Sequence, residues 1–360
     1  MINKYLLVFI LILVSILIFQ YFSKEHFQEK EKLPERPFAN LFDDKGNHLN
    51  VLLLSRPFWL KEHYDKYNQI KDKFLMLGVS SYQAFPSEPA NPGDNYNKNN
   101  PYEKQKWLDM CKGWLHCFRN PDDHLPKDYP KILMSESDFA DCLVNKPDPS
   151  IEKKFDFIYI CHRDDLSDCS PNEWVAYNKN LTLAEKCLTK LCKEKDFKGL
   201  LIGREGCALP PSCTNLKIEL TKKLDYYELQ KKFDECRFIF IPNINDASPR
   251  VITESLCHNI PCLVNQNIIG GWKYINDKTG VFFNDENDFI EKFDEIREGI
   301  KNNKYEPRKY FVENYGIINA GKKLKDFIYK IFGDKVNIPE NQVKYITPEF
   351  RKKDFSDCLV

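Results

Sequence analysis

Apolar residues are concentrated at the start of this 360-residue chain and recur afterwards in short runs. Residues 5–22 read YLLVFILILVSILIFQYF and carry no charge, which approaches the length that a helix needs to cross a bilayer. Aromatic residues at both ends of the run suit a membrane interface. No small-residue cleavage site follows the run, so we predict an uncleaved transmembrane anchor at 1–22 rather than a signal peptide.

The charges that flank this run leave its orientation open. Lysine and arginine are more frequent after the run than before it, which favours a cytoplasmic position for the remaining chain. The short head before the run is instead typical of an anchor that directs the following domain to a lumen. We therefore predict a single-pass membrane protein without assigning a side. Residues 23–37 are charged and poor in apolar residues, as in a stalk.

The apolar pattern after residue 37 predicts two α/β domains. Runs typical of buried strands lie at 50–56, 73–79, 131–134, 155–161, 199–203, 237–242 and 262–265. In the second half they alternate with amphipathic segments at 180–193, 225–236 and 249–258. This alternation predicts a parallel sheet with helices on both faces. Apolar residues also recur at helical spacing across 107–118, where we expect core packing.

Composition narrows the range of functions. The 53 basic residues balance 53 acidic ones, and zero net charge argues against a nucleic-acid-binding protein. The 13 cysteines form no C-x-x-C pair and no zinc-ligand spacing. Cys207 and Cys213 could close a local disulfide, whereas we expect Cys187 and Cys192 to be small buried hydrophobic residues. The sequon at Asn180 starts a helix beside the predicted active site, so we expect it to be unglycosylated.

The segment with the most chemical information is 241–254, IPNINDASPRVITE. Ser248 suits the N-cap of the helix that follows, and Pro249 suits its first position. The N-terminus of such a helix offers free amides to a phosphate. Asp246 precedes the helix and Glu254 lies on its second turn, where carboxylates can accept hydrogen bonds from sugar hydroxyls. The alternative is an ordinary capped helix with two solvated acids.

The motifs that surround this acidic pair occur in a defined order. Asp246 and Glu254 are eight positions apart. They are followed by a turn into a strand, a Gly-Gly loop and a later glycine, at 259–264, 270–271 and 280. The order resembles the donor-binding half of the group-1 glycosyltransferases of the GT-B type, over residues 155–330. The resemblance implies an α/β GT-B fold with two Rossmann-like domains, at 38–150 and 151–335, followed by a tail at 336–360.

The resemblance also implies roles for individual residues. Glu254 would hold the ribose of a nucleotide-sugar, and Asp246, usually a glutamate in the family, would orient the sugar ring. Negative charge develops on the leaving diphosphate, so positive groups and amides are needed beside it. The implied donor and phosphate contacts are Arg163, Lys179, Gly203, Arg204, Ser248, Arg250, Gly270 and Gly271. The separation of Arg163 from Lys179 is longer than is usual in the family.

The first domain is expected to bind the acceptor. It lacks the glycine-rich loop that many relatives carry after their first strand. The candidates for acceptor contacts are Arg56, Glu136 and Asp138, although 135–138 is more typical of a helix cap. His116 and His124 are possible bases or structural histidines. No Asp-x-Asp motif occurs in a suitable place, so we expect no metal and no cofactor besides the nucleotide-sugar substrate.

These features together predict a membrane-anchored glycosyltransferase. It would move a sugar from a nucleotide-sugar to a glycan, protein or lipid acceptor near a membrane, and the resemblance implies retention at the anomeric carbon. The alternatives are a catalytically inactive GT-B-like scaffold or surface protein and a nucleotide-sugar epimerase. The aspartate at position 246 and the missing glycine loop favour the inactive scaffold, whereas an epimerase has little reason to be anchored.

Overall fold

The structure is a computed structural model that describes residues 33–87 and 106–349. The chain divides into two units, Met1–Glu35 and Arg36–Val360. The anchor predicted at 1–22, most of the stalk and the end of the tail lie outside the described residues. Among the helices in the described ranges, none combines the length and apolar character that a bilayer span requires.

The first half of the larger unit is built on a mixed sheet. Its strands are β1 (Phe38–Asp43), β2 (His48–Leu54), β3 (Leu75–Val79), β4 (Trp114–His116), β5 (Lys131–Leu133) and β12 (Ile346–Pro348). They lie in the order β12-β1-β2-β3-β4-β5. Strands β2 to β5 are parallel, while β1 pairs antiparallel with both β2 and β12.

The second half contains a parallel sheet. Its strands are β6 (Phe155–Ile160), β7 (Gly199–Ile202), β8 (Ile218–Thr221), β9 (Cys236–Ile241), β10 (Cys262–Asn265) and β11 (Gly280–Phe283). They lie in the order β11-β10-β9-β6-β7-β8. The chain moves outward from β6 through β8 and returns to the other side of β6 with β9. This doubly wound order places the switch point between β6 and β9, where such sheets bind ligands.

Helices cover both faces of the second sheet. The described helices are α1 (Lys61–Ile70), α2 (Trp107–Met110), α3 (Trp174–Asn178), α4 (Leu181–Glu194), α5 (Tyr226–Asp234), α6 (Arg250–Cys257), α7 (Phe289–Lys301), α8 (Pro307–Asn314) and α9 (Gly316–Phe332). Helices α4 and α7 pack on one face, and α5, α6 and α8 pack on the other. The predicted alternation of strands and helices in this half is confirmed.

The apolar residues that recur at helical spacing across 107–118 do not form one helix. Only Trp107–Met110 is helical, and Trp114–His116 forms strand β4. Hydrogen bonding to β3 and β5 on either side decides its conformation. The predicted core packing is confirmed, because Trp107, Trp114 and Phe118 are all buried.

The end of the chain returns to the first half, which corrects the predicted domain boundaries. Leu324 and Ile328 of α9 share a core cluster with Val51 of β2 and Leu77 of β3. Strand β12 pairs with β1 at the edge of the first sheet. The predicted boundaries assign 316–335 to the second domain and 336–360 to a tail. The physical reason for the difference is that α9 supplies an apolar face to the first sheet.

Three disulfides are present in the described residues. They join Cys142 to Cys257, Cys169 to Cys207, and Cys192 to Cys213. The predicted Cys207–Cys213 bond is therefore wrong, and Cys192 is bonded, whereas Cys187 is free and buried as expected. The two cysteines of the predicted pair face different elements. Cys207 lies against the loop after β6, while Cys213 lies against α4.

Candidate active site

The candidate site lies at the carboxyl ends of β6 and β9, beside the first half of the fold. The segment that joins β9 to α6 carries Asp246 and also forms part of the contact between the halves. Its Ala247 packs with Ala84, Cys117 and Phe118 of the first half. The position of Asp246 therefore depends on both halves.

Asp246 and Lys179 form an ion pair at the switch point. The Lys179 Nζ lies 2.8 Å from the Asp246 Oδ2, which also accepts from the Asn243 Nδ2 at 3.0 Å. The lysine and aspartate side chains are 21% and 17% exposed, so a ligand can reach both. Asn180 directly follows Lys179 and helps to position its backbone, because the Asn180 Nδ2 donates to the Pro242 carbonyl at 3.0 Å. Asn180 is also the asparagine of the glycosylation sequon, and this hydrogen bond uses its side-chain amide.

Glu254 lies on α6 and is 7% exposed. Within the described ranges, its carboxylate has no hydrogen-bond donor or cation as a partner. Its oxygen atoms are not among the inaccessible side-chain atoms that lack a partner, so solvent or a ligand can reach them. The structure thus leaves the Glu254 carboxylate accessible on the helix that begins just after Asp246.

The N-terminus of α6 differs from the prediction in its cap. Pro249 occupies the N-cap position and Arg250 is the first helical residue, exposed to solvent. Ser248 does not cap the helix, because its hydroxyl accepts from the Ser137 backbone amide at 3.1 Å and lies 2.9 Å from the Ser137 hydroxyl. That hydroxyl is used to join the two halves. In the described part of the chain the N-cap residue of α6 makes no side-chain cap, which leaves the first amides of the helix available to an anion.

The predicted Gly-Gly loop packs against this same helix start. A Cβ on Gly270 would lie 1.9 Å from the carbonyl oxygen of Ala247. Gly271 has φ +79°, and a Cβ there would lie 2.4 Å from the Pro249 ring. The Gly270 amide also donates to the Asp246 carbonyl at 3.1 Å. The two glycines therefore support the segment that carries Asp246, and their contact with donor phosphates stays a prediction.

Two of the three arginines predicted beside the phosphates, Arg163 and Arg204, lie around the loop that follows β6. Arg163 donates to backbone carbonyls, including that of Glu205 at 2.7 Å. Arg204 is 3% exposed and donates to the Cys169 carbonyl at 2.6 Å. Gly203 has φ +86°, and a Cβ there would overlap the backbone of the same loop. The structure thus brings Arg163 and Arg204 together with each other but does not pair Arg163 with Lys179.

Asp138 forms a buried ion pair between the halves. Its carboxylate lies 2.6 Å from the Lys273 Nζ and accepts from the Tyr274 hydroxyl at 2.9 Å. It also accepts from the Ser135 amide at 2.7 Å, so the helix-cap interpretation of this segment is confirmed. Glu136 is half-buried in the same turn. Sequence reasoning missed the lysine partner, whose only signal was its place directly after the Gly-Gly-Trp motif.

Two buried polar side chains lie at or just after the ends of neighbouring strands in the first half. His116 ends β4, and its Nδ1 has no hydrogen-bond partner among the described residues. Burial, with smaller contributions from nearby lysines, lowers the pKa of His116 to about 4, so this histidine is neutral at pH 7. Gln83 follows β3, and neither atom of its amide has a partner in the described ranges. Gln83 was missed, since no motif distinguishes it.

An aromatic strip, defined here as Trp59, Tyr82 and Trp174, crosses from the first half to the second. The Trp59 and Tyr82 rings meet edge to face, with centroids 5.1 Å apart. The Tyr82 and Trp174 rings are stacked, with centroids 6.1 Å apart and an interplanar angle of 19°. The Arg56 guanidinium lies over the Trp59 ring at 4.9 Å. Of these residues, the sequence had indicated only Arg56.

No family model matches the chain, and no curated protein matches it in sequence. Solved structures do resemble it. Sucrose-phosphate synthase from Thermosynechococcus elongatus has a TM-score of 0.58 at 10% identity, over 78% of this chain and 74% of that chain. A glycosyltransferase from Rickettsia africae has a TM-score of 0.53 at 15% identity, over 79% and 77%.

A third solved structure is the pneumococcal O-GlcNAc transferase in complex with UDP and GlcNAc. Its TM-score is 0.51 at 13% identity, and the match covers 79% of this chain and 57% of that chain. Identities this low establish the fold alone. The chain has the GT-B fold of the group-1 glycosyltransferases, as the order of its motifs predicted.

Proposed function

We propose that the protein is a glycosyltransferase that moves a sugar from a nucleotide-sugar donor to an acceptor. The observation that carries the proposal is the Lys179–Asp246 pair beside the uncapped N-terminus of α6, at the switch point of the second sheet. Two of the similar structures support it by their chemistry, since one is a sucrose-phosphate synthase and another holds UDP and GlcNAc.

The proposed mechanism assigns a role to each group at this site. Lys179 and the first amides of α6 stabilise the diphosphate as negative charge develops on it. Asp246 orients Lys179 and accepts a hydrogen bond from the donor sugar. Glu254 accepts hydrogen bonds from the ribose hydroxyls, which would supply the partners that its carboxylate lacks in the protein alone.

Retention and independence from metals complete the proposed reaction. Within the ranges that the structure describes, no group of three His, Cys, Asp or Glu side chains could hold a metal ion. Metal independence stays a prediction that turnover in excess EDTA checks. Proton NMR of the first product formed checks retention, because it reports the anomeric configuration before mutarotation.

We also propose that residues 5–22 anchor the enzyme and that the catalytic unit faces an oxidising lumen. The apolar sequence supports the anchor. The three disulfides support the lumenal side, because such bonds persist in oxidising compartments and are rare in the cytosol. Resistance to alkaline extraction checks the anchor, and protection from external protease in sealed vesicles checks the side.

The main experiment uses the full chain, purified in detergent, with a panel of UDP-, GDP- and ADP-sugars. Slow hydrolysis of one donor is expected, and Glu254→Ala should reduce it by at least tenfold because the ribose contact is lost. Glu291→Ala is the matched control, since that glutamate is an exposed side chain on α7. Failure of the wild-type protein to bind any of the three nucleoside diphosphates would contradict the proposal.

One observation favours a catalytically inactive GT-B module. The Arg163 guanidinium is already bonded to backbone carbonyls, so it is not directed at a diphosphate. An inactive module would bind a nucleoside diphosphate but would hydrolyse or transfer no sugar from the whole donor panel. The active enzyme is expected to bind a nucleoside diphosphate and also to hydrolyse or transfer a sugar, with Lys179 as the principal cation beside the diphosphate.

A further inference from the structure

We propose that the aromatic strip and Gln83 form an acceptor subsite for a sugar ring, so that the acceptor is a saccharide. This inference rests on the proposed glycosyltransferase function and names its second substrate. Trp174 of the strip offers a partly exposed ring, and the Gln83 amide offers one hydrogen-bond acceptor and two donors. A sugar ring presents C–H groups on its faces and hydroxyls around its edge, which matches both features.

The position of the strip suits an acceptor. Trp174 and Lys179 lie at opposite ends of the short helix α3, whose C-cap is Lys179. At a rise of about 1.5 Å per residue, the two are roughly 7–8 Å apart along the helix axis. The aromatic strip therefore ends on the same short helix as the lysine of the Lys179–Asp246 pair.

Local contacts hold Trp174 in place. The Glu173 side chain caps α3 by accepting from the backbone amides of Val175 at 3.1 Å and Ala176 at 3.0 Å. Trp174 is nevertheless 36% exposed, an unusual state for so large an apolar side chain. A fixed and partly exposed tryptophan is already ordered for stacking before a ligand arrives.

Gln83 provides an independent observation. It is 5% exposed and both of its amide atoms lack a partner within the described residues, a state that is costly in a folded protein. Its φ of +42° is strained for a residue other than glycine. Unsatisfied polar groups and backbone strain that occur together are typical of a functional site.

The neighbours of Gln83 place it at the boundary between the halves. Tyr82, on one side, stacks on Trp174. Ala84, on the other side, packs with Ala247, which directly follows Asp246. Gln83 thus lies in the chain between a residue of the aromatic strip and a residue that packs beside the Asp246 segment. A purely apolar acceptor would leave the Gln83 amide unpaired, whereas adjacent sugar hydroxyls would satisfy its donor and acceptor atoms.

Binding of free oligosaccharides tests the subsite. The full chain in detergent is titrated with maltotriose, cellotriose, chitotriose and mannotriose, with UDP, GDP or ADP present, and binding is followed by calorimetry. At least one trisaccharide should bind, and Trp174→Ala should weaken it roughly three- to tenfold, as loss of an aromatic stacking partner does. Tyr227→Ala is the matched control, because Tyr227 is an exposed aromatic residue on α5.

Substitution of Gln83 separates a ligand role from a structural one. Gln83→Gly removes the amide and relieves the left-handed strain, so its melting temperature should equal or exceed that of the wild type. Its affinity for the same trisaccharide should fall about threefold or more with the lost hydrogen bonds. A residue that serves only the fold would show the reverse, with lower stability and unchanged binding.

The outcomes distinguish this inference from the proposed function. Nucleoside diphosphate binding and donor hydrolysis should be unchanged in Trp174→Ala and Gln83→Gly, since neither residue belongs to the donor site. If the wild-type protein hydrolyses a donor but binds none of the four trisaccharides, the acceptor inference is wrong and the enzyme assignment stands. If no nucleoside diphosphate binds, the enzyme assignment itself fails.

Discussion

At the scale of single residues, the space around Gly270 determines whether the Asp246 segment can form. Gly270→Ala should destabilise the protein by roughly 3 kcal/mol or more, because the new methyl group would overlap the Ala247 carbonyl oxygen at 1.9 Å. Chemical denaturation measures the loss. Gly206→Ala is the control: its φ is +80° but nothing lies within 4 Å, so about 1 kcal/mol of backbone strain is expected. Equal losses in the two variants would show that the contact with Ala247 is unimportant.

The buried His116 predicts how stability depends on pH. Its folded-state pKa of about 4 lies below the ordinary value of 6.5, so the unfolded chain binds the proton more readily. This residue therefore contributes full stability above pH 6.5, and the contribution decreases as the pH falls from 6.5 towards 4. Urea unfolding at pH 7 and pH 5 measures the change. His116→Gln should show a smaller decrease than the wild type, and an identical decrease would contradict the assignment.

The residues found from the sequence are those whose neighbours are close along the chain. Asp246, Glu254 and the glycine pair belong to one continuous motif, so their order was visible. Lys273 is 135 positions from its partner Asp138, and no local pattern connects the two. Long-range pairs of this kind depend on how the halves meet, which a single sequence does not contain.

At the scale of secondary-structure elements, the Cys142–Cys257 disulfide fastens the segment before β6 to the end of α6, the helix that carries Glu254. Replacing both cysteines with serine should lower the free energy of unfolding by about 2–5 kcal/mol, since the bond closes a long loop in the unfolded chain. Thermal denaturation in non-reducing buffer measures the loss. In strong reductant the wild-type disulfide is also broken, so the two proteins should differ far less in stability. If the difference stays the same, the serine side chains and not the lost bond cause the destabilisation.

The elements of the second half were easier to predict than those of the first. Strands β6, β7, β9 and β10 are continuous apolar runs separated by amphipathic helices, so their period and length identify them. Strand β4 has only three residues, and β12 pairs with a strand about 300 positions earlier. Short strands gain their stability from pairing, which local periodicity does not report.

At the scale of the whole molecule, the Asp138–Lys273 pair holds the two halves together through buried charges that are 4% and 8% exposed. Lys273→Met should destabilise the protein by roughly 3–5 kcal/mol, because it leaves a buried carboxylate without its cation. Adding Asp138→Asn should restore part of that loss. A double-mutant cycle by denaturation measures the coupling, and strictly additive effects would show that the pair is not coupled.

The return of α9 and β12 to the first sheet has a consequence for synthesis on the ribosome. Strands β6 to β11 occupy 155–283, so the second sheet is complete in the nascent chain while α9 and β12 are still unsynthesised. The core of the first sheet includes residues from α9 and from β12 near position 346, so it closes only after both elements have been synthesised. The half that is synthesised first therefore completes its core last, whereas domains usually fold in the order in which they are synthesised.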